Sequence, residues 1–112
     1  MMNYTTVIER LCALTNYEQK FPPYNTKNYN LANMRRILKK LGNPERKFRS
    51  IHIAGTKGKG STAMYCEAIL REAGLRTGLF ISPHVENILE RIQVNGMKVS
   101  PKKFSAAMSE VL

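Results

Sequence analysis

The chain has 112 residues, 43% of them hydrophobic, and a formal net charge of +10. That length suits one domain with a modest core, and the charge favours anionic partners such as a nucleotide, a polyanionic metabolite or nucleic acid. The totals exclude a disulfide-built scaffold, because Cys12 and Cys66 stand alone outside any metal-ligand spacing, and a membrane-spanning helix, because no run approaches about 18 apolar residues. Glu9 and Arg10 interrupt the apolar N-terminus, which therefore lacks a signal-peptide core. Both cysteines are expected to be reduced, and a cytoplasmic location follows.

In chain order, Thr5 or Thr6 can cap a helix running to about Tyr17, with Val7, Ile8, Leu11 and Leu14 on one face. The stretch YEQKFPPYNTKNYN reads as an irregular loop, since Pro22-Pro23 forbids helix and asparagines favour turns. Leu31, Met34, Leu38 and Leu41 then recur at helical spacing, with Gly42 as a left-handed stop and Pro44 just beyond. Arg35, Arg36, Lys39 and Lys40 lie on this helix. Lys39 and Lys40 complement its C-terminal dipole, a structural role preferred here to a nucleic-acid stripe.

Ser50 to Ala54 is short and rich in β-branched residues, so a strand is predicted. A glycine turn follows, then a helix from Ser61 to Ala73 whose apolar faces include Met64, Ala68 and Leu70 to Leu75, with Gly74 as its stop. Thr77 to Ile81 is a second predicted strand. Strand, turn, helix and strand over about thirty residues predict a βαβ unit with parallel strands and a right-handed crossover. Ile92 and Val94 alternate with polar residues before Asn95-Gly96, a strong hairpin signal, and Val99 falls on the predicted return strand. Ser100-Pro101 then opens a last helix with Phe104, Ala107, Met108 and Val111 on its apolar face. That helix reaches the end of the sequence without a C-cap, and the predicted sheet has unpaired edges. The chain reads as the beginning of something larger.

The run HIAGTKGKGST carries the chemistry. A strand feeding a glycine-rich turn that opens a helix presents backbone N–H groups and a helix dipole to an anion. Gly55, Gly58 and Gly60 permit backbone angles and close approach that a Cβ would block. Lys59 can reach β and γ phosphates, and Ser61 and Thr62 offer hydroxyls to phosphate or Mg²⁺. The spacing departs from G-x-x-x-x-G-K-[ST]: Ile53 stands where the first glycine belongs, and Gly60 separates Lys59 from Ser61.

This variant loop resembles that of the folylpolyglutamate synthase and dihydrofolate synthase family, relatives of the Mur ligases. LANMRRILKKLGNPERKFRSIHIAGTKGKGST is similar to that family's helix, Leu-Gly-Asn-Pro turn, strand and loop. AGLRTGLFISPHVENILERIQVNG is similar to its second strand, Ser-Pro-His loop and Glu-Arg-Ile…Asn-Gly hairpin. The resemblance covers residues 31 to 104, and residues 4 to 30 more weakly. It implies an α/β fold, a P-loop, mostly parallel sheet with flanking helices as in the Mur-ligase ATP-binding domain, incomplete at the C-terminus. Residues 1–112 would be the N-terminal part of that domain, without the glutamate-binding C-terminal domain.

The implied activity is an ATP-dependent amide ligase that joins L-glutamate to a folate or dihydropteroate carboxylate through an acyl phosphate. ATP and Mg²⁺ are the implied cofactors, and neither nucleic acid nor membrane is expected as a partner. Carried over by position, Gly55, Thr56, Gly58, Lys59, Gly60, Ser61 and Thr62 would hold ATP, with Lys59 as the charge clamp and catalytic residue. Ser82 would ligate Mg²⁺, with Ser61 as a second candidate. Pro83, following a cis peptide, and His84 would belong to the pterin or folate loop. His52 reads as structural, and Glu90 and Arg91 as residues that orient the hairpin and its neighbours. Lys57 replaces a usual Asn and Ile81 a usual Thr. The implied second Mg²⁺ ligand set and amine site lie beyond residue 112, so this chain alone is expected to be inactive and to need the remainder of the enzyme. Other expectations remain open: another Mur-type ligase, a basic module binding nucleic-acid phosphate, or an inactive gene product.

Overall fold

The structure is a computed structural model that describes residues 1–14, 23, 25, 27 and 30–112. The first helix, predicted to run to about Tyr17, ends instead at Ala13, where Leu14 takes an extended backbone, and most of the predicted loop after Tyr17 lies outside the described residues. Two compact units are present, residues 1–50 with 105–112, and residues 51–104.

In the first unit, α1 (Tyr4–Ala13) is capped by Asn3, whose side chain accepts the Thr6 amide at 2.8 Å. The predicted cap at Thr5 or Thr6 is thus corrected. Asn3 has an extended backbone and a short carbonyl side chain that reaches the first turn, whereas Thr5 and Thr6 lie inside the helix. Val7 is fully buried, as its helical face predicts. The second helix, α2 (Ala32–Lys40), ends as Gly42 foretells. Gly42 sits at φ +79°, its amide bonds to the Lys39 carbonyl, and the Asn43 amide bonds to the Leu38 carbonyl. These paired bonds satisfy carbonyls that the last turn leaves open. Leu38 and Leu41 are half-buried, but Leu31 and Met34 are mostly exposed. Near the chain's end, the Ser109 hydroxyl donates to the Ser105 carbonyl and accepts the Met2 amide.

The second unit contains α3 (Lys59–Glu72) and a three-stranded sheet in the order β1 (Gly78–Phe80), β2 (Ile92–Val94), β3 (Met97–Lys98). Both strand pairs are antiparallel, with Leu79 opposite Gln93 and Val94 opposite Met97. Two expectations are corrected here. Residues 51–54 form no strand, and the mostly parallel sheet is absent among the described residues. The cause is pairing rather than propensity. A β-branched run becomes a strand only when a neighbour takes up its backbone groups. Ile51 is mostly exposed, and β1 pairs with β2 alone.

The hairpin follows the sequence closely. Asn95 and Gly96 both take positive φ, 49° and 78°, which is the backbone a tight two-residue turn requires. The return strand stops at Lys98, with Val99 keeping one backbone bond to Ile92. α4 (Pro101–Val111) begins where Ser100-Pro101 predicts, and the Ser100 hydroxyl accepts the Lys103 amide. Leu79, Leu89 and Phe104 are the buried apolar residues of this unit. Met64 and Leu75, expected on buried faces of the third helix, are more than half exposed.

Candidate functional site

The glycine turn does open a helix. Gly58 stands at φ +72° as the N-terminal cap of α3, and Lys59 is the first helical residue, so the helix starts two residues before the predicted Ser61. The early start has a local cause. Gly58 reverses the chain in the left-handed region that a Cβ disfavours, and its carbonyl accepts both the amide and the hydroxyl of Thr62, at 2.9 and 2.8 Å. The turn is closed from within, leaving the first amides of a 14-residue helix without intrahelical partners.

Gly55 precedes this turn. A Cβ on Gly55 would lie 3.9 Å from both the Lys57 carbonyl oxygen and the Lys59 Cγ. Gly55, Lys57 and the stem of Lys59 are therefore neighbours. Thr56, Lys57, Gly58, Lys59, Ser61 and Thr62 are exposed, and Gly60 is half-buried. An exposed lysine at the positive end of a helix dipole adds its charge to that of the dipole.

The Ser82-Pro83-His84 segment follows β1. From α3 the chain reverses at Gly74, φ +86°, and β1 packs back along the helix. Ser82-Pro83 is a cis peptide, as the resemblance implied, and Ser82 and Pro83 are exposed.

Glu90 organises what comes next. Its carboxylate accepts the amides of Val85 (3.0 Å), Glu86 (3.0 Å) and Asn87 (2.8 Å). The Asn87 side chain in turn accepts the Leu89 amide, which starts the short helical turn Ile88–Arg91. The amides of Val85 and Asn87 hold the Glu90 carboxyl below its ordinary range against the opposing effect of burial, with lesser help from the Glu86 amide and the Lys98 charge. Arg91 acts on the side chain instead: its Nε donates to His84 Nδ1 at 2.8 Å. The expectation that Glu90 and Arg91 orient their neighbours matches this geometry. His52 is exposed, in the unpaired stretch before the turn.

A supporting cluster escaped the sequence reading. Glu67 is 8% exposed on α3, accepting the Thr77 hydroxyl at 2.7 Å and Arg71 Nε at 3.0 Å. The Thr77 bond first, then Arg71, holds its carboxyl below the usual range. Thr77 and Asn95 exchange two further bonds, Thr77 amide to Asn95 Oδ1 and Asn95 amide to Thr77 carbonyl, both 2.9 Å. The i,i+4 spacing of Glu67 and Arg71 was the available signal. This cluster fixes the far end of α3 to the sheet, and with it the direction in which the Lys59 end points.

The residue types present are compatible with Mg²⁺ bound together with a nucleotide. Hydroxyl oxygens of Ser61 and Ser82 are hard ligands, and Mg²⁺ commonly takes one or two protein oxygens and completes its shell with phosphate and water. Among the described residues, no group of three or more His, Cys, Asp or Glu could hold a metal ion by itself. Cys12 and Cys66 are free, and no helix among the described residues is long and apolar enough to cross a membrane.

No family model matches the chain. The dihydrofolate synthase/folylpolyglutamate synthase of Bacillus subtilis is 41% identical over 81 residues, covering 72% of this chain and 19% of that protein. The folylpolyglutamate synthetase of Lactobacillus casei superposes with a TM-score of 0.80 at 30% identity, covering 98% of this chain and 25% of that one. A complex of FPGS with AMPPCP and folate superposes at 0.81, again with 30% identity, covering 98% of this chain and 25% of that one. The chain thus spans 19% and 25% of the length of the Bacillus and Lactobacillus proteins. In sequence and in α/β fold it belongs to the folylpolyglutamate synthase/dihydrofolate synthase family, of which it represents one part.

Proposed function

We propose that this chain is the N-terminal, phosphate-binding part of a cytoplasmic ATP-dependent ligase that adds L-glutamate to a folate or dihydropteroate carboxylate. The observation that carries the reading is the turn itself. Gly58 in the left-handed region opens α3 with Lys59 in its first position, and Ser82 follows β1 at a cis peptide with Pro83. The Lactobacillus and Bacillus proteins, and the FPGS complex with AMPPCP and folate, support the nucleotide and the substrate class.

The chemistry asks for these residue types. A carboxylate is a poor electrophile, and phosphoryl transfer from ATP converts it to an acyl phosphate that an amine can attack. The protein must hold the triphosphate, offset its charge and align the carboxylate. Gly55, Thr56, Gly58 and Gly60 would let the backbone approach the phosphates, and Lys59 would set its ammonium on the β and γ oxygens. Ser61 and Ser82 would supply oxygens to Mg²⁺, whose chemistry is to neutralise developing phosphate charge. Thr62 would serve mainly by closing the turn, since its hydroxyl proton is already donated to Gly58. Pro83 and His84 would face the pterin side of the substrate. Lys57 stands beside Gly55 and adds positive charge to the same turn.

Because the chain spans about a quarter of the length of its relatives, it is read as supplying the phosphate and folate-loop elements, with the remaining length supplying the amine site. Calorimetry with Mg-ATP tests the first step. Binding that Lys59→Ala weakens by about 10- to 100-fold, the range expected for a charge-assisted contact, supports the reading. Unchanged binding in that variant would refute it. Multiple turnover by the purified chain would overturn the division of labour.

A further inference from the structure

Arg91 does more than brace a loop. The Nε–H of a guanidinium donates and never accepts. A contact of 2.8 Å from Arg91 Nε to His84 Nδ1 therefore requires a lone pair on Nδ1. In a neutral imidazole that leaves the single ring proton on Nε2. Nε2 has no hydrogen-bond partner among the described residues. Meanwhile Glu90 clamps the backbone just after the ring through the amides of Val85, Glu86 and Asn87. Main chain and side chain are thus fixed by two adjacent residues of one short helical turn.

We propose that Arg91 is a positioning residue that locks His84 as an Nε2–H donor, so that this loop presents a hydrogen-bond donor to an acceptor atom of the ligand. The ligand class is set by that donor: a carbonyl oxygen, carboxylate oxygen or unprotonated ring nitrogen. A ligand group that only donates would meet a proton and be refused. The ligand half of this inference rests on the folate-loop reading above; the tautomer half does not.

The test uses the chain itself, labelled with ¹⁵N-histidine. It has two histidines, and His52→Gln assigns the signals of His84. Long-range ¹H–¹⁵N correlation in mildly alkaline buffer reads which ring nitrogen carries the proton. The expected result is a nearly pure Nε2–H pattern for His84, which collapses to the averaged pattern of a free imidazole in Arg91→Ala. A wild-type Nδ1–H pattern overturns the proposal whatever the variants do. An unchanged His84 pattern in Arg91→Ala, with the backbone amide spectrum preserved, overturns it as well. Arg91→Gln retains a donor at shorter reach and separates loss of the donor from loss of the fold. Folate with Mg-ATP is then added. A shift of Nε2 larger than that of Nδ1 supports the ligand role. No shift at Nε2, with the tautomer as expected, refutes that role and leaves the positioning by Arg91 standing.

Discussion

Gly58 and Thr62 are joined twice, because one carbonyl oxygen accepts both the amide and the hydroxyl of Thr62, at 2.9 and 2.8 Å. The hydroxyl proton is therefore occupied within the turn, and only the oxygen lone pairs face outward. Ser61 is next to it and exposed. The two hydroxyls should separate on mutation. Thr62→Val is expected to cost about 1 kcal/mol of stability, the usual worth of one such bond, with nucleotide affinity nearly unchanged. Ser61→Ala should leave stability alone and weaken Mg-ATP binding. Paired denaturation and calorimetry check this, and a Thr62→Val variant of normal stability and poor binding would reverse the assignment.

Gly58 and Gly60 differ in kind although they flank the same lysine. Gly58 is at φ +72°, and a Cβ there would have nothing within 4 Å, so Gly58→Ala meets no clash. Its cost is that of the left-handed backbone alone, about 1–2 kcal/mol. Gly60 lies inside α3 without positive φ and with nothing within 4 Å of its would-be Cβ. Gly60→Ala should stabilise the helix by about 0.5–1 kcal/mol. If Gly60 is there to admit phosphate, that more stable variant binds Mg-ATP worse. A variant both more stable and equally able to bind would show that its missing side chain serves no ligand.

The legible parts of the sequence were those governed by local rules. Gly42, Gly74 and Asn95-Gly96 each dictate a backbone that few residues adopt, and each appears where expected. The same holds for Ser100-Pro101 at the start of α4. What failed was non-local. Residues 50–54 have the composition of a strand, but composition cannot supply a neighbour, and the sheet that forms is built from β1, β2 and β3 instead. At the site, glycine and lysine spacing announced the turn, whereas the Glu67–Thr77–Arg71 cluster spans ten residues and a change of element.

Arg71 and Gly96 should prove energetically coupled. A Cβ on Gly96 would lie 2.8 Å from both Cζ and Nε of Arg71, so the guanidinium, which also donates to Glu67, must shift. Gly96→Ala also strains a turn residue at φ +78°. The Arg71→Ala background removes the clash but keeps the strain. Gly96→Ala is therefore expected to be less destabilising there than in the wild-type chain, as a double-mutant cycle of urea midpoints would read. Strict additivity would mean that Arg71 moves aside freely and contributes nothing to the hairpin.

Two carboxylates set the response to acid. Glu67 and Glu90 are held below their ordinary range in the folded chain, the first by Thr77 and Arg71, the second mainly by the amides of Val85 and Asn87. A depressed folded-state value means that the unfolded chain binds the proton more tightly. The resulting stability is fully present above the unfolded-state value, about 4.3 for glutamate, and is lost as pH falls through the folded value. Melting temperature should hence be flat near neutrality and fall below about pH 5. Glu67→Gln and Glu90→Gln should each lie below wild type at neutral pH and approach it as the pH drops, because wild type is then protonated too. Thermal melts of the three chains across this range decide the matter. A gap between wild type and either variant that stays constant down to strongly acidic pH would mean that the carboxylate's charge is irrelevant and that shape alone accounts for the loss.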